Sequence, residues 1–321
     1  MFTIEEIKKK LATNPIKKHI VFPEGEETII QDVAKTLVEK NLGLPILLFK
    51  NTADIPNALK DYKNIQIIAL DQFDTAAFEE LFVQIRKGKT TAEQAASLLK
   101  LPNYVGCMLV KTNKASCMLS GLNNTTADTI RPALQIIGVK PQYSLASSAF
   151  IMAKDNQRYI FSDCALNIKP TSEQLADITQ MAAEFGSLLN FQDIEATLLS
   201  YSTNGSGKGE DVDRVKKALE ILKEKNLPYK IEGEIQFDAA FDKLVRDKKF
   251  KNNTLTKQTP DIFIFPEIHS GNIGYKIAQR MGGYEAIGPF VLGLNQPVND
   301  LSRGATFIDV LNTAIITLLL A

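Results

Sequence analysis

Residues Pro297–Asp309 read PVNDLSRGATFID. This stretch sets a hydroxyl (Ser302), a guanidinium (Arg303) and a carboxylate (Asp309) close together around Gly304. Such groups can donate to a developing negative charge, grip an anion through two parallel hydrogen bonds and accept a proton. The spacing also has a plainer reading. Thr306 and Asp309 fit a helix capping box, and an acidic group in a first helical turn is favourable in any protein. On spacing alone, the cap is the better account of Asp309.

Three other segments could meet an anion. In Ser120–Ile137, SGLNNTTADTIRPALQII, Pro132 restricts how far back a helix can extend, so a helix begins shortly before it with Asp128 or Thr125 as cap. A small polar loop ahead of that helix would present free N–H groups, and Arg131 would strengthen the site. A capped helix carrying a surface arginine explains the same residues and is favoured on spacing. In Ser200–Val212, SYSTNGSGKGEDV, alternating glycines form neither common phosphate-loop pattern, and a flexible turn between strand and helix is the simpler reading. Arg86–Lys89, RKGK, is either a solvated charge run or a pocket for a polyphosphate. Of the two histidines, His19 starts a strand and His269 follows one. Cys107, Cys117 and Cys164 read as small buried groups, with Cys117 the one near the Ser120 loop.

These residues need a scaffold, and the apolar patterning predicts an alternating one. Strands are expected at His19–Pro23, Leu44–Lys50, Ile65–Leu70 and Val105–Val110. Helices are expected at Thr28–Leu42, Ala76–Arg86 and Thr91–Leu99. That order is the pattern of a parallel sheet covered by helices. Ser147–Lys154 and Arg158–Cys164 flank a turn-prone Asp155-Asn156-Gln157 and predict a hairpin. Further strands are expected at Thr197–Ser202 and Ile262–Pro266, and helices at Thr171–Asn190, Val212–Lys223, Gly271–Met281 and Phe307–Leu320. Pro141-Gln142-Tyr143 suggests a boundary near 142–146.

Composition narrows the class. A chain of 321 residues suggests about two domains. Lys+Arg and Asp+Glu are both 37, which argues against nucleic-acid binding. Three cysteines without paired spacing suggest a reducing compartment, and two histidines make a common zinc site hard to assemble. The N-terminal stretch lacks the order of a signal peptide, and Thr313–Ala321 is too short to span a bilayer. The expectation is a cytoplasmic protein that binds no metal, nucleic acid or membrane.

Several blocks in order resemble the phosphate acetyl/butyryltransferase family: FPEGEE, the Ser120–Ile137 block, SDCALNIKPTSEQLADI, LLSYSTNGSGKGEDVDRV, EIQFDAA and AIGPFVLGLNQPVNDLSRG. The resemblance runs over about 300 residues and implies an α/β fold of two domains with largely parallel sheets, isocitrate/isopropylmalate dehydrogenase-like, with a cleft between the domains. Residues 1–143 with 289–321 would form one discontinuous domain and 144–288 the other, commonly in a homodimer. The implied reaction is reversible: acetyl phosphate plus coenzyme A gives acetyl-CoA plus phosphate, through direct thiolate attack in a ternary complex. Coenzyme A is then a substrate and no cofactor is bound. By motif, Asp309 would take the thiol proton, Ser302 would steady the transition state and Arg303 would bind acetyl phosphate. Arg86, Arg131, Ser120, Thr125 and Thr126 would bind coenzyme A or phosphate. The chemistry suits these types, because a thiol is mostly protonated at neutral pH and gains from a positioned base.

The sequence departs from the family pattern at Ala115-Ser116-Cys117, Asn124 and His269-Ser270-Gly271-Asn272, while Ser302, Arg303 and Asp309 are intact. The alternatives are a phosphate butyryltransferase-like enzyme for longer acyl groups, a non-catalytic protein that binds coenzyme A or acyl phosphate, and an acyl-cysteine route through Cys117.

Overall fold

The computed structural model describes residues 3–321. Its strands are β1 (His19–Phe22), β2 (Leu44–Phe49), β3 (Gln66–Ala69), β4 (Cys117–Ser120), β5 (Ser147–Lys154), β6 (Gln157–Ser162), β7 (Glu195–Leu199), β8 (Lys230–Ile235), β9 (Ile262–Ile264), β10 (Glu285–Leu292) and β11 (Val298–Asp300). The chain divides into two compact units. One joins Thr3–Lys140 to Leu294–Ala321, and the other is Pro141–Gly293.

The first unit is built on a five-stranded sheet ordered β11-β4-β1-β2-β3, parallel throughout. Its strands are short apolar runs, as expected when helices cover a parallel sheet. The helices Thr28–Glu39 and Phe307–Leu320 pack on each other and on the sheet, and Pro102–Lys111 packs on β1, β2 and β4. Gly106 permits the last contact. A Cβ there would lie 2.6 Å from Met118 Sδ and 3.3 Å from Val21 Cγ1. The Phe307–Leu320 helix matches its expected span, and no helix among the described residues is long and apolar enough to cross a membrane.

The second unit carries a six-stranded sheet ordered β10-β5-β6-β9-β7-β8. β10, β5 and β6 are antiparallel neighbours, including the expected hairpin, and β6, β9, β7 and β8 run parallel. Phe263 on β9 is fully buried beside an aromatic cluster. Its ring lies 5.4–5.8 Å from those of Phe237, Phe161 and Tyr159.

One expectation is corrected. Val105–Val110 is not a strand but the interior of the Pro102–Lys111 helix, whose residues from Asn103 to Val110 are all buried. Burial on every side erases the 3.6-residue polar rhythm, and Pro102 at the first turn is a helix-start signal. The fourth strand of this sheet comes later, at β4. β8, KIEGEI, lies outside the expected elements, as do β10 and β11, and glutamates are usually solvent-facing. Glu232 and Glu234 are instead 2% exposed.

Phe263→Ala should cost about 3–5 kcal/mol of unfolding free energy, since it removes a buried ring from the centre of an aromatic cluster. Urea unfolding followed by circular dichroism measures this.

Candidate active site

β11, β4 and β1 are neighbours in one parallel sheet, and Asp300 pairs with Ser120 at the carboxyl ends of β11 and β4. In open α/β sheets, ligands bind beyond such ends. Three segments leave here side by side: the turn after β1 with Glu24, the loop after β4 that enters the Thr126–Pro132 helix, and the stretch after β11 with Ser302 and Arg303. A bond from Leu301 N to Ser120 O, 2.7 Å, ties the last two together.

Glu24 organises the loop after β4. Its carboxylate accepts from the backbone N–H groups of Gly121 (2.8 Å), Leu122 (3.0 Å), Asn123 (2.7 Å) and Asn124 (3.1 Å). The loop's amides are therefore taken by a side chain of the chain itself, in keeping with the capped-helix reading favoured on spacing. Thr125 then caps the helix. It accepts from Asp128 N, and the Asp128 carboxylate accepts from Thr125 N (3.1 Å) and Thr125 Oγ1 (2.7 Å). These bonds hold the Asp128 carboxyl below its usual range, the Thr125 hydroxyl contributing most.

Ser120 is fully buried, donates from Oγ to Asn103 Oδ1 at 2.8 Å and supports the loop from beneath. Thr125, Thr126 and Arg131 are exposed on the helix that the loop leads into. Arg86 ends the Ala76–Arg86 helix, and its Nε is buried without a partner. Arg86 and Arg131 both act on the Tyr104 hydroxyl, whose proton burial makes harder to lose and the two guanidiniums make easier. Tyr104 and Arg131 line a cavity of about 280 Å³, with Glu24, Lys50 and Asn123 on its wall.

Ser302 and Arg303 are exposed in the turn after β11, closed by Ala305 N to Ser302 O at 2.9 Å. Asp309 forms the capping box read from its spacing: Thr306 N and Thr306 Oγ1 donate to Asp309 Oδ2 at 2.8 and 2.7 Å. Both bonds use Oδ2, so Oδ1 is left for another partner. None of Arg86, Arg131 and Arg303 has a carboxylate partner within ion-pair distance among the described residues. No carboxylate competes for the donors of these three guanidiniums. The structure brings Arg86 and Arg131 together around Tyr104 and keeps Ser302, Arg303 and Asp309 on a separate stretch of the same unit.

The other candidates settle into the fold. Cys117 is fully buried, its Sγ 3.8 Å from His19 O, and burial pushes its thiol strongly up, so it is a poor nucleophile. The glycine-rich turn is a turn and not an open cradle, since Gly205 N donates to Glu234 Oε1 and Gly207 N to Ser202 Oγ. His269 is exposed at the start of the Ile268–Arg280 helix, where its N–H donates to Glu267. A larger cavity of about 680 Å³ lies wholly in the second unit and is lined mainly by apolar and aromatic side chains; Ser200, Tyr201 and Asp211 of the glycine-rich segment line it, but none of Ser302, Arg303, Asp309, Arg86 and Arg131 does.

Residues 2–318 match the family described as "Phosphate acetyl/butaryl transferase". The chain belongs to this family. It is 70% identical over 321 residues, all of both chains, to a phosphate acetyltransferase of Mycoplasma capricolum subsp. capricolum. It is 43% identical over 320 residues to one of Bacillus subtilis, covering 97% of this chain and 96% of the relative. The crystal structure of a phosphotransacetylase from Streptococcus pyogenes superposes with a TM-score of 0.92 at 41% identity, covering 98% of this chain and 96% of that one.

Sequence reasoning missed Glu24, Tyr104 and Asp300. Glu24 had a visible signal, as an acidic residue directly after the apolar run HIVFP. Asp300 stands two residues before Ser302 but is 2% exposed, with Oδ1 buried and unpartnered. Burial pushes its carboxyl up to about 6, the hydroxyls of Thr126 and Thr129 pull the other way, and the Glu24 charge adds to the rise.

Glu24→Gln should cost about 2–4 kcal/mol, because an amide cannot accept on both ends from four converging N–H groups. Chemical denaturation measures the loss. Hydrogen exchange should quicken first at residues 121–124.

Proposed function

We propose that the chain catalyses reversible acetyl transfer between acetyl phosphate and coenzyme A by direct thiolate attack in a ternary complex. The family match along residues 2–318 carries this reading, supported by relatives named phosphate acetyltransferase at 70% and 43% identity. In this proposal Asp309 takes the thiol proton. Its capping box favours the role, since Oδ2 is fixed by Thr306 while Oδ1 has no hydrogen-bond partner. A carboxylate held by one oxygen is oriented before substrate arrives, which a general base requires. Ser302 donates to the carbonyl oxygen as it gains charge, and Arg303 grips the phosphoryl group of acetyl phosphate.

Arg86 and Arg131, with Thr125 and Thr126, meet phosphate oxygens of coenzyme A or of the second substrate, while Ser120 holds their loop. The unpaired guanidiniums and the cavity beside Tyr104 support this assignment. We further propose a cytoplasmic homodimer. Exposed Tyr201, Phe237 and Ile277 lining the larger cavity favour a covered face there.

Purified protein with acetyl phosphate and coenzyme A should raise the ultraviolet absorbance of the thioester, and butyryl phosphate should react more slowly. Asp309→Asn should lower kcat by about 10²–10⁴-fold. Its melting temperature should stay near that of the parent, because the Asn oxygen still accepts from Thr306. A large loss of stability with kcat unchanged in the folded fraction would make Asp309 a cap alone.

A further inference from the structure

Asn103 and Tyr104 open the Pro102–Lys111 helix and reach the two helices that carry Arg86 and Arg131. The first contact follows from Pro132. Proline has no N–H, so the carbonyl of Asp128, four residues earlier in the helix, loses its usual donor. Asn103 Nδ2 donates to that carbonyl instead, at 3.0 Å, and Asn103 Oδ1 accepts from the buried Ser120 hydroxyl at 2.8 Å. The Thr126–Pro132 helix then runs directly into a wider π turn, Ala133–Ile137, in which Gln135 sits four residues beyond Arg131. Tyr104 is buried and donates from its hydroxyl to Gln135 Oε1 at 3.0 Å. Arg131 thus lies between two bonds made by adjacent residues of one helix.

The ring of Tyr104 meets the other arginine's helix. Its centroid is 5.8 Å from that of Phe82, in an edge-to-face contact. Phe82 is fully buried and stands four residues, about one turn, before Arg86 on the Ala76–Arg86 helix. One side chain therefore joins two helices, and each joint is about one turn from an arginine that no carboxylate pairs among the described residues. Tyr104 and Arg131 also share the wall of the cavity of about 280 Å³. Four carboxylates line it too, and each already accepts from the chain: Glu24 from the loop amides, Glu26 from Lys50 N, Glu27 from Asn123 Nδ2 and Asp128 from Thr125.

We propose that Tyr104 is a positioning residue for coenzyme A: its ring on Phe82 and its hydroxyl on Gln135 fix the separation of Arg86 and Arg131, so that both guanidiniums meet phosphate groups of one coenzyme A molecule. Two cations on separate helices grip a ligand with several phosphates well only if their separation is set beforehand. Otherwise part of the interaction is lost to ordering them. The inference rests on the acetyl-transfer reading above and commits these two arginines to coenzyme A rather than to acetyl phosphate.

The test uses the full chain with two variants. Tyr104→Phe keeps the ring and removes the hydroxyl. Gln135→Met keeps the length of the side chain and removes the acceptor. KM for coenzyme A should rise about fivefold in each, while kcat and KM for acetyl phosphate stay within about twofold of the parent. The double variant should be no worse than either single one, because both remove the same bond. Calorimetry with adenosine 3′,5′-bisphosphate, the nucleotide end of coenzyme A, gives a readout that does not depend on turnover. Its binding should weaken about fivefold in each variant. If Tyr104→Phe does not fold, Gln135→Met decides. An unchanged KM for coenzyme A in the folded variants overturns the proposal, and so does an equal rise in KM for acetyl phosphate. Additive effects in the double variant, or an effect of Tyr104→Phe alone, mean that the hydroxyl meets the ligand directly, and they overturn it as well. Absence of thioester formation by the parent refutes the acetyl-transfer reading itself, and the calorimetry still decides the role of Tyr104.

Discussion

One carboxylate sets the shape of the candidate site. Glu24, at the end of β1, collects four consecutive N–H groups from the loop after β4. Neighbouring amides that point the same way need an acceptor, and leaving them unmet in a nearly buried loop is costly. In many phosphate-binding proteins that acceptor is the ligand. Here it belongs to the chain, so the loop keeps its form without substrate and the Thr126–Pro132 helix starts from a fixed point.

The second unit uses the same device. Asp163, just after β6, accepts from the N–H groups of Ala165, Leu166 and Asn167, and Glu234 on β8 takes Gly205 N. Committing carboxylates to backbone amides has an electrostatic result. A chain with 37 basic and 37 acidic residues could pair its arginines widely. At the candidate site Glu24 and Asp128 are committed to the loop and its cap, and no carboxylate pairs with Arg86, Arg131 or Arg303 among the described residues. A ligand carrying several phosphates, as proposed here, would meet donors that need not first be stripped of a competing carboxylate.

What could be read in the sequence depended on whether a signal was local. The Phe307–Leu320 helix, its Thr306–Asp309 box and the β5–β6 hairpin were legible because caps and turns are written in a few adjacent residues. The Pro102–Lys111 helix was misread because burial on all sides removed its polar face. β8 was missed because Glu232 and Glu234 are buried against partners distant in the chain. Thr254 N meets Glu232, and Ser202 Oγ meets Glu234. Ser302, Arg303 and Asp309 were singled out by motif, whereas the 97 to 100 residues that separate Glu24 from the amides it binds hid the loop's partner.

The first unit is assembled from two distant stretches, Thr3–Lys140 and Leu294–Ala321. β11 supplies an edge of its sheet, and the Phe307–Leu320 helix packs on β1 and β4. A ribosome therefore releases Thr3–Lys140 well before the strand and helix that complete this unit, and the whole second unit emerges in between. The early segment must wait with a sheet edge and an apolar face uncovered, a state prone to aggregation. The stretch that ends this wait contains Ser302, Arg303 and Asp309. The proposed catalytic groups are thus made together with the strand and helix that complete the unit's core.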